Sequence, residues 1–273
     1  MTNRSSDIFI HLLLGIGAIV MFFPLLWLIL LSISDNPSSS STLFELITKQ
    51  FTFTNYSDIL TSDNYFLYFF NTFIMSFGVA AGSCLFCTYI AYSFARMEFK
   101  FKNIIFGSVL IMMMVPVYVV MIPLYREIVV FGWINSYAAL ILPFMVSPLG
   151  VFLLKQYIEE LPKELEEAAT IDGAGLAGIF HRIIFPLCKP MLIVLFLYQF
   201  LNTWNTFLFP FLFTNTDSMR VLPVALTFYQ GKQSVDIGHL MAGAGLSAIP
   251  VLILFAIFQK RIITGLTAGA VKG

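Results

Sequence analysis

Along the chain the apolar and polar positions separate into long blocks. Six runs, at 8–34, 66–95, 104–124, 136–154, 190–213 and 237–259, contain no Asp, Glu, Lys or Arg. A helix needs about 20 predominantly apolar residues to cross the hydrocarbon core, so each run predicts a membrane span. Prolines 116, 143, 148, 210 and 250 fall inside these runs, and membrane helices tolerate them where neighbours re-satisfy the freed carbonyls. A β-barrel is excluded because its strands alternate with a period of two, whereas these runs are long and uniformly apolar. The first run has a basic flank, Arg4, but its 27 residues exceed the roughly 7–15 of a signal-peptide core, and no small-residue cleavage site follows. It reads as a retained anchor.

Composition sharpens this picture. Of 273 residues, 59% are hydrophobic and 11% charged, with a mean hydropathy of +0.88. Soluble domains carry about 25% charged residues, so an ordinary soluble enzyme and a disordered chain are excluded. Fifteen basic residues balance fifteen acidic ones, leaving no basic surface for nucleic acid. Three cysteines cannot form a disulfide framework. Eleven Lys and Arg fall on one side of the six spans and four on the other. The rule that basic loops stay inside then predicts both termini in the cytoplasm. The first outer loop, 35–65, is long and polar, and its serine-rich start reads as mobile.

The inner loop 155–189, between the fourth and fifth runs, is the most patterned segment. Pro162 suits the first turn of a helix, and Glu164, Glu166 and Glu167 suit its dipole. Leu161, Leu165, Ala168 and Ala169 share a face at helical spacing. Gly173 can close the helix in a left-handed turn. Leu176, Ile179, Phe180 and Ile183 then mark a second short helix that Pro186 ends. An interfacial helix pair in the headgroups is one reading. The six acidic against four basic residues of the loop suit a protein partner better than anionic lipid.

Glu167-Ala168-Ala169, three residues, Gly173, nine residues, then Ile183-x-x-Pro186 resembles the EAA motif of ABC importer permeases. Phe185 stands where that family usually has leucine. Trp204-Asn205 and the ending Gly265-Leu266-Thr267-Ala268-Gly269-Ala270-Val271-Lys272-Gly273 are similar to the maltose-type carbohydrate permeases, and the resemblance spans essentially the whole chain. It implies an all-α integral membrane permease of six helices, one domain over 1–273, with loop 155–189 as the coupling helix. The implied partners are a second permease subunit, a cytoplasmic ATPase dimer, an extracytoplasmic solute-binding protein and membrane lipid. ATP and Mg would be bound by the ATPase and not by this chain, which has no Gly-x-x-x-x-Gly-Lys phosphate loop. The localisation implied is the cell membrane of a prokaryote.

The same resemblance implies site roles. Glu167, Ala168, Ala169, Asp172, Gly173, Ile183 and Pro186 would couple to the ATPase, Glu167 facing one of its basic residues. Gly265, Thr267, Gly269 and Lys272 of the tail 260–273 would lie along the ATPase interface, unless the tail is a frayed end. Tyr229, Gln230, Gly231 and Lys232 would touch the binding protein, or simply connect two spans. Asn202, Trp204 and Asn205 would line the path, Trp204 stacking on a sugar ring, or would serve interhelical hydrogen bonds.

Other signals are weaker. Cys84-x-x-Cys87 has no neighbouring histidine and reads as packing rather than metal binding. Gly78 and Gly82 form a small-xxx-small pattern that lets helices approach, within the subunit or against a partner. His239 is assigned no role. The runs hold no carboxylate, which argues against an ion-driven secondary transporter. No zinc-protease or serine-elbow motif supports an enzyme. The expected cargo is a neutral mono- or oligosaccharide, with a polyol or glycerol-phosphate-type solute as the alternative.

Overall fold

The computed structural model describes residues 4–38, 41–62, 64–229 and 236–270, and these are helical with no strand beyond one isolated bridge. The order is α1 (Arg4–Ser32), α2 (Leu43–Thr48), α3 (Thr54–Ser62), α4 (Tyr65–Arg96), α5 (Lys102–Met112), α6 (Met121–Val130), α7 (Tyr137–Ile141) and α8 (Pro148–Glu159). There follow α9 (Glu164–Ile171), α10 (Leu176–Ile179), α11 (Phe185–Leu187), α12 (Lys189–Trp204), α13 (Leu208–Phe213), α14 (Leu222–Ala225) and α15 (Ile237–Ala270).

Among the described residues, three stretches are long and apolar enough to cross a membrane in one piece: Phe9–Ser32, Tyr65–Arg96 and Ile237–Gln259. Three more are helix pairs, bent by 97° between Lys102–Met112 and Val117–Val130, by 43° between Tyr137–Phe144 and Pro148–Glu159, and by 73° between Leu176–Leu187 and Lys189–Trp204. Periodicity treats the third, fourth and fifth runs as unbroken, and the structure breaks all three. The third and fourth runs break beside Pro116 and Pro148. Proline removes a donor and crowds the carbonyl four residues back. The 73° bend lies at Cys188, just ahead of Pro190 and of the fifth run; the fifth run itself breaks after Trp204, before α13, with no proline at the break.

The chain divides into two compact units. The first comprises Met1–Leu67 and Leu222–Pro250. The polar loop after α1 is more structured than its composition predicts. Thr42 and Glu45 form a capping box that starts α2, and Leu46 packs with Leu30, Leu31 and Ile237. The Asn55 amide donates to the carbonyls of Ser32 (2.9 Å) and Ser34 (3.0 Å). These belong to the last turn of α1 and its exit, where carbonyls lack helical partners. Upstream of this anchor the apolar side chains of α1 from Phe9 to Leu26 are exposed.

The second unit comprises Tyr68–Val221 and Val251–Gly273. Here α4 and α12 are joined by a ladder of rings. Phe73 stacks on Phe77, Phe77 meets Phe196 at 5.7 Å, Phe196 stacks on Phe200, and Phe200 stacks on Trp204 at 5.5 Å. Such pairs each add about 0.5–1.5 kcal/mol beyond area burial. The glycine pattern on α4 serves packing within this unit. A Cβ on Gly78 would lie 2.9 Å from Ile141, and one on Gly82 would lie 2.5 Å from Met145. Cys87 is buried beside Ser147, whose amide donates to its Sγ, and Cys84 Sγ donates to the Leu192 carbonyl.

Gly82→Val therefore overpacks the α4 contact and is expected to cost about 1–3 kcal/mol. Thermal unfolding in detergent checks this. Gly107→Val, where nothing lies within 4 Å of the added Cβ, should leave the midpoint unchanged.

Candidate functional site

The segment between α8 and α12 is a helix, a corner and a second helix. Pro162 does not enter α9; it lies one residue before the Lys163 cap and separates α8 from α9, because the residue preceding a proline is pushed out of the helical region. Glu164, Glu166 and Glu167 occupy the first turn of α9, where carboxylates favour the exposed amides. At the other end Gly173 has φ +80°. Its amide donates to the Thr170 carbonyl, and the Ala174 amide donates to Ala169. This is a Schellman closure, in which the left-handed residue lets two amides cap the last carbonyls. Asp172, exposed, is the residue before the corner.

Pro186 does not end the second helix. A π turn over Phe180–Ile184 is followed by α11, which carries Pro186 in its first turn, and the chain bends only at Cys188. The wide turn is a local adjustment to a ring that the ordinary i−4 ladder would crowd. It also shifts the register. Ile179, Phe180 and Ile184 are buried, Ile183 is half-buried, and Leu176 and Pro186 are exposed.

The face of α9 is likewise rotated from the one predicted. Ala169, with Leu161 and Ala174, packs against the core of the second unit, whereas Leu165, Glu167 and Ala168 are exposed. The cause is Glu166. Its Oε1 accepts from Arg96 Nε at 2.6 Å and its Oε2 from the Tyr92 hydroxyl at 3.0 Å, while Arg96 Nη2 donates to the Leu161 carbonyl at 2.6 Å. The side chains of Arg96 and Glu166 are 7% and 15% exposed. A charge pair this sheltered decides which way a short helix turns. Removing one partner of such a pair costs about 3–5 kcal/mol. Sequence reading missed it because Glu166 and Glu167 look alike in a string of acids. What remains outward is a tip with Ile171 86% and Leu176 56% exposed, flanked by Glu164, Glu167 and Asp172. An apolar centre with an acidic rim is the anatomy of a protein contact.

The second arm is held by aromatic contacts. Tyr89 stacks on Phe180 with centroids 4.2 Å apart, and its hydroxyl lies 2.8 Å from His181 Nε2. A cleft of about 310 Å³ lies beside it, lined by Tyr89, Tyr92, Met97, Leu176 and Phe180 among others.

Within the spans, Trp204 is 3% exposed and belongs to the ring ladder, so its indole is not free to stack on a solute. Asn202 and Asn205 are exposed, and Asn205 bonds its own helix at Leu201. The residue that joins them on one face is Tyr198, 47% exposed. Positions 198, 202 and 205 fall at i, i+4 and i+7, the spacing of a single stripe. The polar neighbour Gln199 instead turns inward to the Ser83 hydroxyl at 3.0 Å.

In the first unit, Tyr229 stacks on His239 at 5.8 Å, and His239 lies between Asp236 (2.7 Å) and Asp58 (3.5 Å). Gln230, Gly231 and Lys232 lie outside the described residues. The α15 backbone continues through Gly265, Thr267 and Gly269 to Ala270; the side-chain surroundings of that stretch, and Lys272, lie outside the described residues.

Residues 85–267 match the family profile described as binding-protein-dependent transport system inner membrane component. The chain belongs to this family. The permease is 37% identical over 261 residues to the arabinooligosaccharides transport system permease protein AraQ of Bacillus subtilis, covering 94% of this chain and 92% of that one. It is 34% identical to the trehalose/maltose transport system permease protein MalG of Thermococcus litoralis, covering 98% and 99%. Its fold matches a chain from the crystal structure of a bacterial ABC transporter involved in the import of the acidic polysaccharide alginate. That match has a TM-score of 0.83 at 23% identity and covers 95% and 98% of the two chains. The permease is thus a membrane component of a transport system, helical throughout its described residues apart from loops and one isolated bridge.

Gly173→Val forces a β-branched residue into the left-handed corner, a cost of about 1–2 kcal/mol. Since open space surrounds a Cβ there, the loss comes from the backbone alone. Limited proteolysis of the purified permease is expected to cut faster between residues 170 and 176, and Gly173→Asn should restore most of the protection.

Proposed function

We propose that this permease forms one half of the translocation path of a sugar importer, with both termini and loop 155–189 in the cytoplasm. The spans are approximately the six charge-free runs. The observation that carries the reading is the rigid helix–corner–helix knob, with its exposed Ile171 and Leu176 and acidic rim, in a chain of a binding-protein-dependent family. A knob of this kind docks in a complementary cleft. The partner we propose is a cytoplasmic ATPase dimer, which binds ATP and Mg and meets Glu167 with a basic group. A second permease subunit covers the exposed apolar faces, such as that of α1, and completes the path. A solute-binding protein delivers cargo from outside, meeting the permease at the segment that includes Tyr229 to Lys232. The tail 260–273 lies along the ATPase.

The cargo we propose is a neutral oligosaccharide. The names of the related permeases support this, as does the stripe Tyr198–Asn202–Asn205. Exposed amides within a hydrocarbon-depth helix require partners, and a water-filled path provides them. An amphipathic ring beside two amides suits a sugar, whose faces are apolar and whose edges carry hydroxyls.

Two experiments test the reading. Glu167→Lys in the native operon setting should leave the permease inserted but remove co-purifying ATPase and uptake. Normal uptake would withdraw Glu167 from the coupling role. In proteoliposomes supplied with maltose, trehalose or arabino-oligosaccharides, Tyr198→Ala and Asn202→Ala should each cut uptake about tenfold, the value of one lost hydrogen-bonding or stacking partner. Their effect on basal ATP hydrolysis should be small. Unchanged uptake in both would move the path to another face.

A further inference from the structure

We infer that Arg96 and Glu166 are positioning residues that weld the knob to α4, so that force on the knob moves α4 and α12 together. This inference rests on the coupling role proposed above and adds the residues that transmit it within this chain.

The argument begins with how little else holds α9. It has eight residues, too few for a stable isolated helix in water. Leu165, Ala168 and Ile171 are exposed and none of its residues is buried. Apolar contact through Ala169, Leu161 and Ala174 is slight. The polar anchor is more extensive: Glu166 accepts from both Arg96 and Tyr92, and Arg96 also grips the Leu161 carbonyl just ahead of α9. Three bonds from two side chains fix position and also angle, which apolar contact between small side chains does not.

All the anchoring groups lie on one stripe of α4. Tyr89, Tyr92 and Arg96 stand at i, i+3 and i+7. Tyr89 holds the second arm through Phe180 and His181, while Tyr92 and Arg96 hold the first. Farther along the same helix, Phe73 and Phe77 are locked to Phe196 and Phe200 of α12. That helix also carries Tyr198 and Asn202 and ends on Asn205 as its C-terminal cap. A continuous packed route therefore runs from the knob through α4 to the polar stripe. Its most specific joint is the Arg96–Glu166 pair. Sheltered pairs of this kind are suited to holding one geometry rather than to adding stability.

The test uses the complete transporter, with its second permease, ATPase and binding protein, in proteoliposomes. Glu166→Gln keeps size and one acceptor but removes the charge. It should retain bound ATPase and basal hydrolysis in the assembled complex, with a lowered thermal midpoint, yet lose about fivefold or more of the stimulation by binding protein, the usual scale of a coupling energy. Spin labels at Glu98→Cys and Thr170→Cys, on α9 but away from the Ile171 tip, report the angle directly. A narrow distance distribution in the otherwise native complex should broaden in Glu166→Gln. Arg96→Lys, which keeps the charge but loses the fork to Leu161, should fall between. The double variant Arg96→Glu with Glu166→Arg should recover part of the stimulation. Native stimulation with a narrow distribution in Glu166→Gln, or in Arg96→Lys if the former does not assemble, overturns the inference. A native complex without a bound ATPase or without stimulation instead overturns the importer reading itself.

Discussion

A backbone amide or carbonyl in hydrocarbon has no water to bond, and this constraint underlies every choice the chain makes. It forces the six apolar runs into helices and makes every interruption costly. Some helix starts and one interruption carry local repairs. Ser136 accepts from the Ala139 amide at the start of α7, and Ser147 accepts from Gly150 at the start of α8, where the fourth run is interrupted. The π turn before Pro186 keeps the ladder running, with the Phe185 amide reaching back to Phe180.

The same constraint explains where the buried polar side chains go. Asn71 donates to the carbonyls of Ser218 and Arg220 and accepts from the Tyr137 hydroxyl. Asn135, held at φ 59°, accepts from the amides of Asn215 and Thr216. Asn55 does equivalent work in the other unit. Each amide satisfies non-helical backbone at a loop or helix exit that no helical ladder serves. Placed at loop exits, they also fix the loops, so segments that look polar and irregular in sequence are ordered.

The helix–corner–helix shows how a polar pair can set the orientation of a short helix. Adjacent glutamates on α9 are chemically identical, yet one is sheltered by Arg96 and Tyr92 and the other faces outward. Once Glu166 is held, helical geometry places Glu167, Ala168 and Ile171 outside, and the Gly173 corner sets the direction of the second arm. The exposed apolar tip is a consequence of that rotation.

The positions of the apolar runs, the family motif from Glu167 to Pro186 and the need for a left-handed Gly173 were all legible in the residues. They depend on local composition and backbone sterics, which act over a few residues. The rotation of α9, the register shift around the π turn, the burial of Trp204 and the emergence of Tyr198 were not legible. Periodicity assumes an unbroken helix of 3.6 residues per turn, and each proline-induced break resets it. Which of two like residues faces inward depends on groups about 70 positions away, as Arg96 is from Glu166. The sequence alone determined that this is a six-run helical permease with a helix–corner–helix between its fourth and fifth runs. Only the tertiary structure decided which faces point where, because long-range charge pairing and ring packing outweigh local phase.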